Sequence, residues 1–204
     1  MNEGVKTIYD RVLNFDPVIR PNMGLKRTIN ECEDFTRYVL SAFIADRADK
    51  NFFEALKDLG YYECPAAKSH HSNYKGGLFV HSVEVARQLL LLTDGMNLTW
   101  EHPGSPIIIG MLHDICKVRD YVYDFGHNNI EFTPTMEIGH GTKSLMILGT
   151  MLRLTKEESY CIRYHMGAYS DKSEWKFFDE AIRTYPNVFW THTADMVASK
   201  ISNK

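Results

Sequence analysis

Six side chains of this sequence are of types that bind metal ions: His81, His113, Asp114, His140, His165 and Asp195. Each of the four histidines falls on the apolar stripe of a different expected helix, and Asp195 falls on a small-residue face of a fifth. One histidine on such a stripe is ordinarily a core residue whose ring is satisfied by a carbonyl. Four of them with two aspartates would each need a private partner, because a buried polar group without one is costly. A metal ion satisfies several at once. Imidazole and carboxylate are the donors preferred by Zn, Fe, Mn and Ni, with Mg favouring the oxygens. Six ligands exceed what one tetrahedral ion takes and suit two adjacent ions, with an aspartate between them and positions open to water. A competing arrangement pairs His113 with Cys116 and Cys161 with His165 as a structural Cys2His2 zinc site, which would leave His81, His140, Asp114 and Asp195 unexplained.

The elements that must position these groups can be read around the stretch from Gly76 to Lys117. In KGGLFVHSVEVARQLLLL, the residues Leu78, His81, Val85, Leu89 and Leu92 recur at steps of three and four. A helix beginning near Gly77 is therefore expected, with His81 inside its stripe. The next helix is announced by Ser105 as N-cap and Pro106 as its first residue, and it closes on His113 and Asp114. Before this pair, one short helix is expected in the lead-in, followed by the loop around Pro17, Pro21 and Gly24. A helix then runs from Thr28 or Asn30 to about Ala48, and another follows Asp49. Residues 61–75 read as a loop, and residues 119–134 as a small hairpin. A helix from Gly139 to about Leu152 opens at His140. The capping box of Thr155 and Glu158 begins one that reaches His165. Residues 179–185 are expected to be helical, and Asn187 to cap a last helix bearing Asp195. The expected fold is all-α, a single domain over residues 1–204 with a helical lead-in (1–62) and a metal-binding core (63–204).

Composition agrees with this picture. The 204 residues are 44% hydrophobic and 24% charged, ordinary values for a globular domain. A net charge of −3 argues against a broad basic surface for duplex nucleic acid. The four cysteines, Cys32, Cys64, Cys116 and Cys161, form no CxxC and read as reduced thiols. With no apolar leader in MNEGVKTIYDR and no run long enough to span a bilayer, a cytoplasmic protein without membrane partners is expected.

The order His81, His113-Asp114, His140, His165, Asp195 resembles the HD superfamily of metal-dependent phosphohydrolases in its two-metal form. The resemblance spans roughly residues 63–200. PAAKSHHSNYKGGLFVHSVEVA looks like the corresponding stretch of HD-domain 3′–5′ exoribonucleases, LHDICK matches the helix-ending HD motif, and THTADMVASK matches the helix of the last aspartate. The chain departs from the family's pattern at Cys116, where glycine is frequent, and at Met166, where relatives often carry a second histidine.

The resemblance implies an HD-domain helical bundle in which His81, His113, Asp114 and Asp195 hold one divalent ion. Asp114 would bridge to a second ion held by His140 and His165. It implies a catalytic part for Asp114 and Lys117, the latter beside the phosphate or orienting Asp114. It also places His71 and Tyr74 of the lead motif against substrate. Lys143, one turn into the helix opening at His140, could meet a phosphate with that helix's free N–H groups, the competing expectation being a surface lysine. His102, His127 and His192 are expected to be structural or surface residues. The implied activity is hydrolysis of phosphoester bonds in a nucleotide or short single-stranded nucleic acid through a metal-activated water. The family's exoribonucleases add an OB-fold to grip single strands, for which these residues leave no room, so a smaller substrate or a grip supplied by a partner is expected. The same ligand order also resembles the di-iron HD oxygenases, such as myo-inositol oxygenase, and a non-catalytic, metal-stabilised binding module is a third alternative.

Overall fold

The computed structural model describes residues 2–17, 25–67, 72–124, 129–132 and 138–202. His70, His71 and His127 lie outside them, as does most of the loop expected around Pro21 and Gly24. The protein is all-α with one antiparallel hairpin. The helices are α1 (Glu3–Leu13), α2 (Ile29–Ile44), α3 (Phe52–Asp58), α4 (Gly77–Gly95), α5 (Ser105–Leu112), α6 (Lys117–Asp120), α7 (His140–Leu148), α8 (Lys156–Tyr164), α9 (Trp175–Thr184) and α10 (Asn187–Val197). The hairpin pairs β1 (Tyr121–Asp124) with β2 (Asn129–Phe132), in the register Tyr121 opposite Phe132. Among the described residues no helix is long and apolar enough to cross a membrane.

Helix α4 is the axle. The sequence shows one apolar stripe, but every residue from Gly77 to Ala86 is buried, His81 and Glu84 included. A helix becomes buried all round when it has partners on every side, and α4 packs against α5, α10 and α1. Phe79 anchors it, meeting Phe15, Phe35 and Tyr61 edge-on with centroids 6.2 Å apart in each case. Helix α5 is likewise buried from end to end. Its approach to α4 depends on Gly110, where a β-carbon would stand 2.3 Å from the Ala86 Cα. Side chains of ordinary size there would hold the helices apart, and His81 and His113 with them.

Several expected caps shift by one residue for identifiable reasons. Ser105 is not the N-cap of α5 but its first residue, behind Gly104. Its hydroxyl instead donates to Glu158 Oε1 at 2.9 Å. Asn187 similarly opens α10 rather than capping it, and its amide donates to Thr99 O at 2.7 Å and to Glu157 Oε1 at 2.8 Å. In both places a distant partner outcompetes the local cap. The expected capping box of Thr155 with Glu158 forms, and Thr28 with Glu31 makes a second one at the start of α2. Helix α9 starts at Trp175, four residues ahead of the expected Asp179.

The lead-in is stitched to the remainder. Asp49 N donates to Met151 O (2.8 Å), Arg153 N donates to Arg47 O (2.9 Å), and the buried Arg47 guanidinium meets Glu158 at 2.8 Å. Glu158 thus closes its own capping box while accepting from Arg47 and Ser105.

Two outcomes follow from these contacts. Gly110→Ala should lower stability by about 1–3 kcal/mol, the cost of overpacking a fitted interface, measured by urea unfolding of metal-free protein. Wild-type stability would mean that α4 and α5 can separate freely. Arg47→Met should cost about 3–5 kcal/mol in the same assay, because it strands a buried carboxylate.

Candidate metal centre

Five elements bring the expected ligands together. His81 comes from the buried stretch of α4, His113 caps the C-terminal end of α5, and Asp114 lies in the turn joining α5 to α6. His165 caps the C-terminal end of α8, and Asp195 sits on α10. His81 Nε2 stands 3.3 Å from His113 Nε2, 3.6 Å from Asp114 Oδ2 and 3.2 Å from Asp195 Oδ1. His113 Nε2 is 3.4 Å from Asp114 Oδ2 and 3.9 Å from Asp195 Oδ1. Donors bound at about 2.0–2.2 Å to one tetrahedral or octahedral ion lie about 3.0–3.6 Å from their neighbours. His81, His113 and Asp114 are spaced for a shared ion, and Asp195 stands within reach of both histidines.

The tautomers agree. His113 Nδ1 donates to Gly110 O at 3.0 Å, and His165 Nδ1 donates to Ile162 O at 2.8 Å. A carbonyl only accepts, so each Nδ1 carries the proton and each Nε2 turns its lone pair inward, as metal-binding imidazoles do. The His165 Nε2 then faces Asp114 Oδ1 at 3.4 Å, and neither atom has a hydrogen-bond partner among the described residues. Two buried acceptors facing each other call for a positive charge between them, which a metal ion or a proton on Nε2 supplies.

The electrostatics point the same way. Burial opposes the charged form of Asp114, yet the Lys117 ammonium at 2.7 Å and His113 hold its carboxyl well below the usual range. Burial similarly opposes charge on Lys117, but Asp114 pushes its ammonium pKa up. Asp195 is pulled down against burial by His81. His81 itself is lowered, burial outweighing Asp195, and so stays a neutral donor. His165 goes the other way: burial is overcome by Asp114. Buried carboxylates kept ionised among inward lone pairs could hold a cation, and the residues present fit a divalent ion.

His140 lies at the margin. It is the first residue of α7 and partly exposed, with Nδ1 3.4 Å from Cys116 Sγ and 4.0 Å from Asp120 Oδ2. It groups with Asp114 and Cys116, whereas His165 groups with His113 and Asp195. Burial lowers its pKa. Cys161 joins none of the three groups that could hold an ion among the described residues. The expected Cys2His2 alternative therefore lacks one of its sulfurs.

The other expected site residues divide. Lys117 lines a cavity of ≈ 190 Å³ with Asp114, His140 and Asp195. Lys143 is not a surface residue: it is buried, its ammonium bound to the Asp120 carboxylate and not turned into that cavity. Tyr74 is half-buried in the turn before α4 and does not line the cavity either. His71 lies outside the described residues. A larger hollow of ≈ 670 Å³ beside Arg11 and Tyr38 holds none of these donors. Donor chemistry rather than size places the site.

Sequence reasoning did not single out Asp120, Tyr121, Tyr169, Ser199 or Lys200. Tyr121, Tyr169, Ser199 and Lys200 line the cavity, and Ser199 Oγ donates to Asp195 Oδ1 at 3.2 Å. Ser199 and Asp195 are four residues apart, a spacing that was available as a signal. His192, expected to be a structural or surface residue, bonds through Nδ1 to His165 O at 2.8 Å. No family model, no curated protein and no solved structure matches this chain.

Divalent ions should stabilise the folded protein. At a hundredfold excess over the dissociation constant the gain is about 2.7 kcal/mol, visible as a rise in melting temperature that EDTA reverses. Asp114→Asn, which keeps the shape and removes the charge, should abolish the rise while the far-UV spectrum stays helical. An unchanged ion response in that variant would mean that the ion binds elsewhere.

Proposed function

We propose that the chain is a metal-dependent phosphohydrolase of the HD type, acting on phosphoester bonds of a nucleotide or short single-stranded nucleic acid. The observation that carries this reading is the convergence of His81, His113, Asp114 and Asp195, with the two aspartates on the wall of a cavity that also presents Lys117 and Lys200. The ordered motif set of the sequence supports it.

His81, His113, Asp114 and Asp195 would hold one ion. His165, and His140 at the margin, would serve a second across Asp114. Bound there, divalent ions supply a nucleophilic water at neutral pH and neutralise charge on the phosphoryl oxygens. The chain's own groups do the rest. Lys117 keeps Asp114 ionised and in place, and its position on the cavity wall lets it face an anionic substrate. Lys200 adds a second cation at the rim, where phosphate is favoured over a neutral ligand. Ser199 holds Asp195 from the other side. Covalent catalysis by the nearby thiols is not part of this reading. Burial, with Asp114 beside it, pushes Cys116 up to about 12, and burial pushes Cys64 up to about 12 despite Lys117, so both stay protonated near neutrality.

The test is anaerobic assay of protein loaded with Mn²⁺ or Mg²⁺ on nucleotides and short oligonucleotides. Release of phosphate or nucleotide is expected, abolished in Asp114→Asn. Lys117→Met should lower kcat by about 10²–10³-fold while metal content is retained. No release from any phosphoester, together with O₂ consumption by the iron-loaded protein, would overturn the reading in favour of an oxygenase.

A further inference from the structure

The cavity over the metal-ligand cluster is too small for a whole substrate of the proposed class. Its ≈ 190 Å³ falls below the range of about 300–1,000 Å³ typical of sites that enclose a small organic ligand. It does not stand alone. A second cavity of ≈ 460 Å³ adjoins it, and His140, Met166 and Tyr169 line both. The two together reach the expected size, with Tyr169 on their common wall.

Tyr169 is an unusual residue to find there. Its side chain is 62% exposed, more than any other aromatic residue among the described residues. The short 3-10 turn Gly167–Tyr169 follows directly on His165. That turn is pinned by Gly167, whose φ of +50° suits glycine and whose missing β-carbon leaves space taken by the His192 ring. The Tyr169 ring meets His192 at 6.5 Å between centroids, and the Lys200 ammonium lies 5.9 Å from its centre. Lys200 arrives on a π-helical turn, Ala198–Ser202, that continues α10 just past Asp195. Such widened turns occur frequently at functional sites. The outer cavity adds hydroxyls from Thr142, Ser170 and Ser173, and an Arg163–Glu174 ion pair at 2.6 Å. Those groups suit a sugar and the edge of a base. An exposed ring on a fixed turn, with a cation above it, suits the face of a base.

We propose that Tyr169 is the stacking platform for the base of a nucleoside phosphoester, whose phosphate occupies the inner cavity between Lys117 and Lys200. This rests on the phosphohydrolase reading of the same site and adds what the enzyme recognises beyond phosphate. A sugar phosphate without a base satisfies the inner cavity only.

The experiment compares adenosine 5′-monophosphate with ribose 5-phosphate, in equilibrium binding to Ca²⁺-loaded protein and in turnover with Mn²⁺. The proteins are wild type, Tyr169→Ala and Tyr169→Phe. Tyr169→Ala should weaken adenosine monophosphate binding about 5- to 150-fold and leave ribose phosphate unchanged, while Tyr169→Phe behaves as wild type. Unchanged nucleotide binding in Tyr169→Ala, equal weakening of both ligands, or failure of wild type to bind the nucleotide would each overturn the platform. The two readings fail separately. Tyr169-dependent binding without hydrolysis of any phosphoester would refute the hydrolase and support the platform. Hydrolysis with no preference between the two ligands would do the reverse.

Discussion

The buried carboxylate of Asp114 is the constraint that the rest of the structure answers. An ionised group removed from water is tolerated only with compensating charge and hydrogen bonds. Here the compensation comes from several directions: Lys117 from the following helix, the imidazoles of His81, His113 and His165 from three others. Asp195 adds a second carboxylate to the same cluster. Such an assembly is poorly balanced without an added cation, since inward-facing nitrogen lone pairs and carboxylate oxygens repel. The fold therefore holds its helices in an arrangement whose electrostatics favour a divalent ion.

That arrangement is maintained by apolar packing kept apart from the polar cluster. Phe79, two residues before His81, sits in an aromatic nest with Phe15, Phe35, Tyr61 and Tyr62. Tyr61 donates its hydroxyl to Met111 O, close behind the His113 turn, and burial pushes its pKa up. His113 and His165 are held in turn by their own backbones, through the carbonyls of Gly110 and Ile162 three residues earlier. Orientation is thus set by contacts that do not involve the ion. A preorganised site of this kind spends little of its binding energy on rearrangement.

The charge distribution gives the site a direction. The chain as a whole is mildly acidic, but the cavity over the cluster carries Lys117 and Lys200. Away from it, Lys143 and Asp120 form a buried pair beside His140, with one Asp120 oxygen left without a hydrogen bond among the described residues. Lys143 is thereby a structural support of the α6–α7 region, whereas from the sequence it could be only a phosphate contact or a surface lysine. The difference is a single partner, and Asp120 carries no motif that would have announced it.

Periodicity and capping rules were sufficient for the helical class, for the capping box of α8, and for the hairpin near residues 121–132, because these depend on local interactions. The candidate ligands were also legible. Histidines and aspartates on apolar stripes are costly wherever the helices go, so their clustering could be expected before their positions were known. The burial of α4 on all sides, the one-residue shifts at Ser105 and Asn187, and the fate of Lys143 were not legible, since each turns on a partner distant in sequence. The same holds for Tyr169 and Lys200. Nothing in a lone tyrosine after a glycine, or in a lysine near the end of a helix, shows that the two meet at the mouth of the site. Local chemistry is written along the chain, whereas the direction a side chain faces depends on which helices close around it.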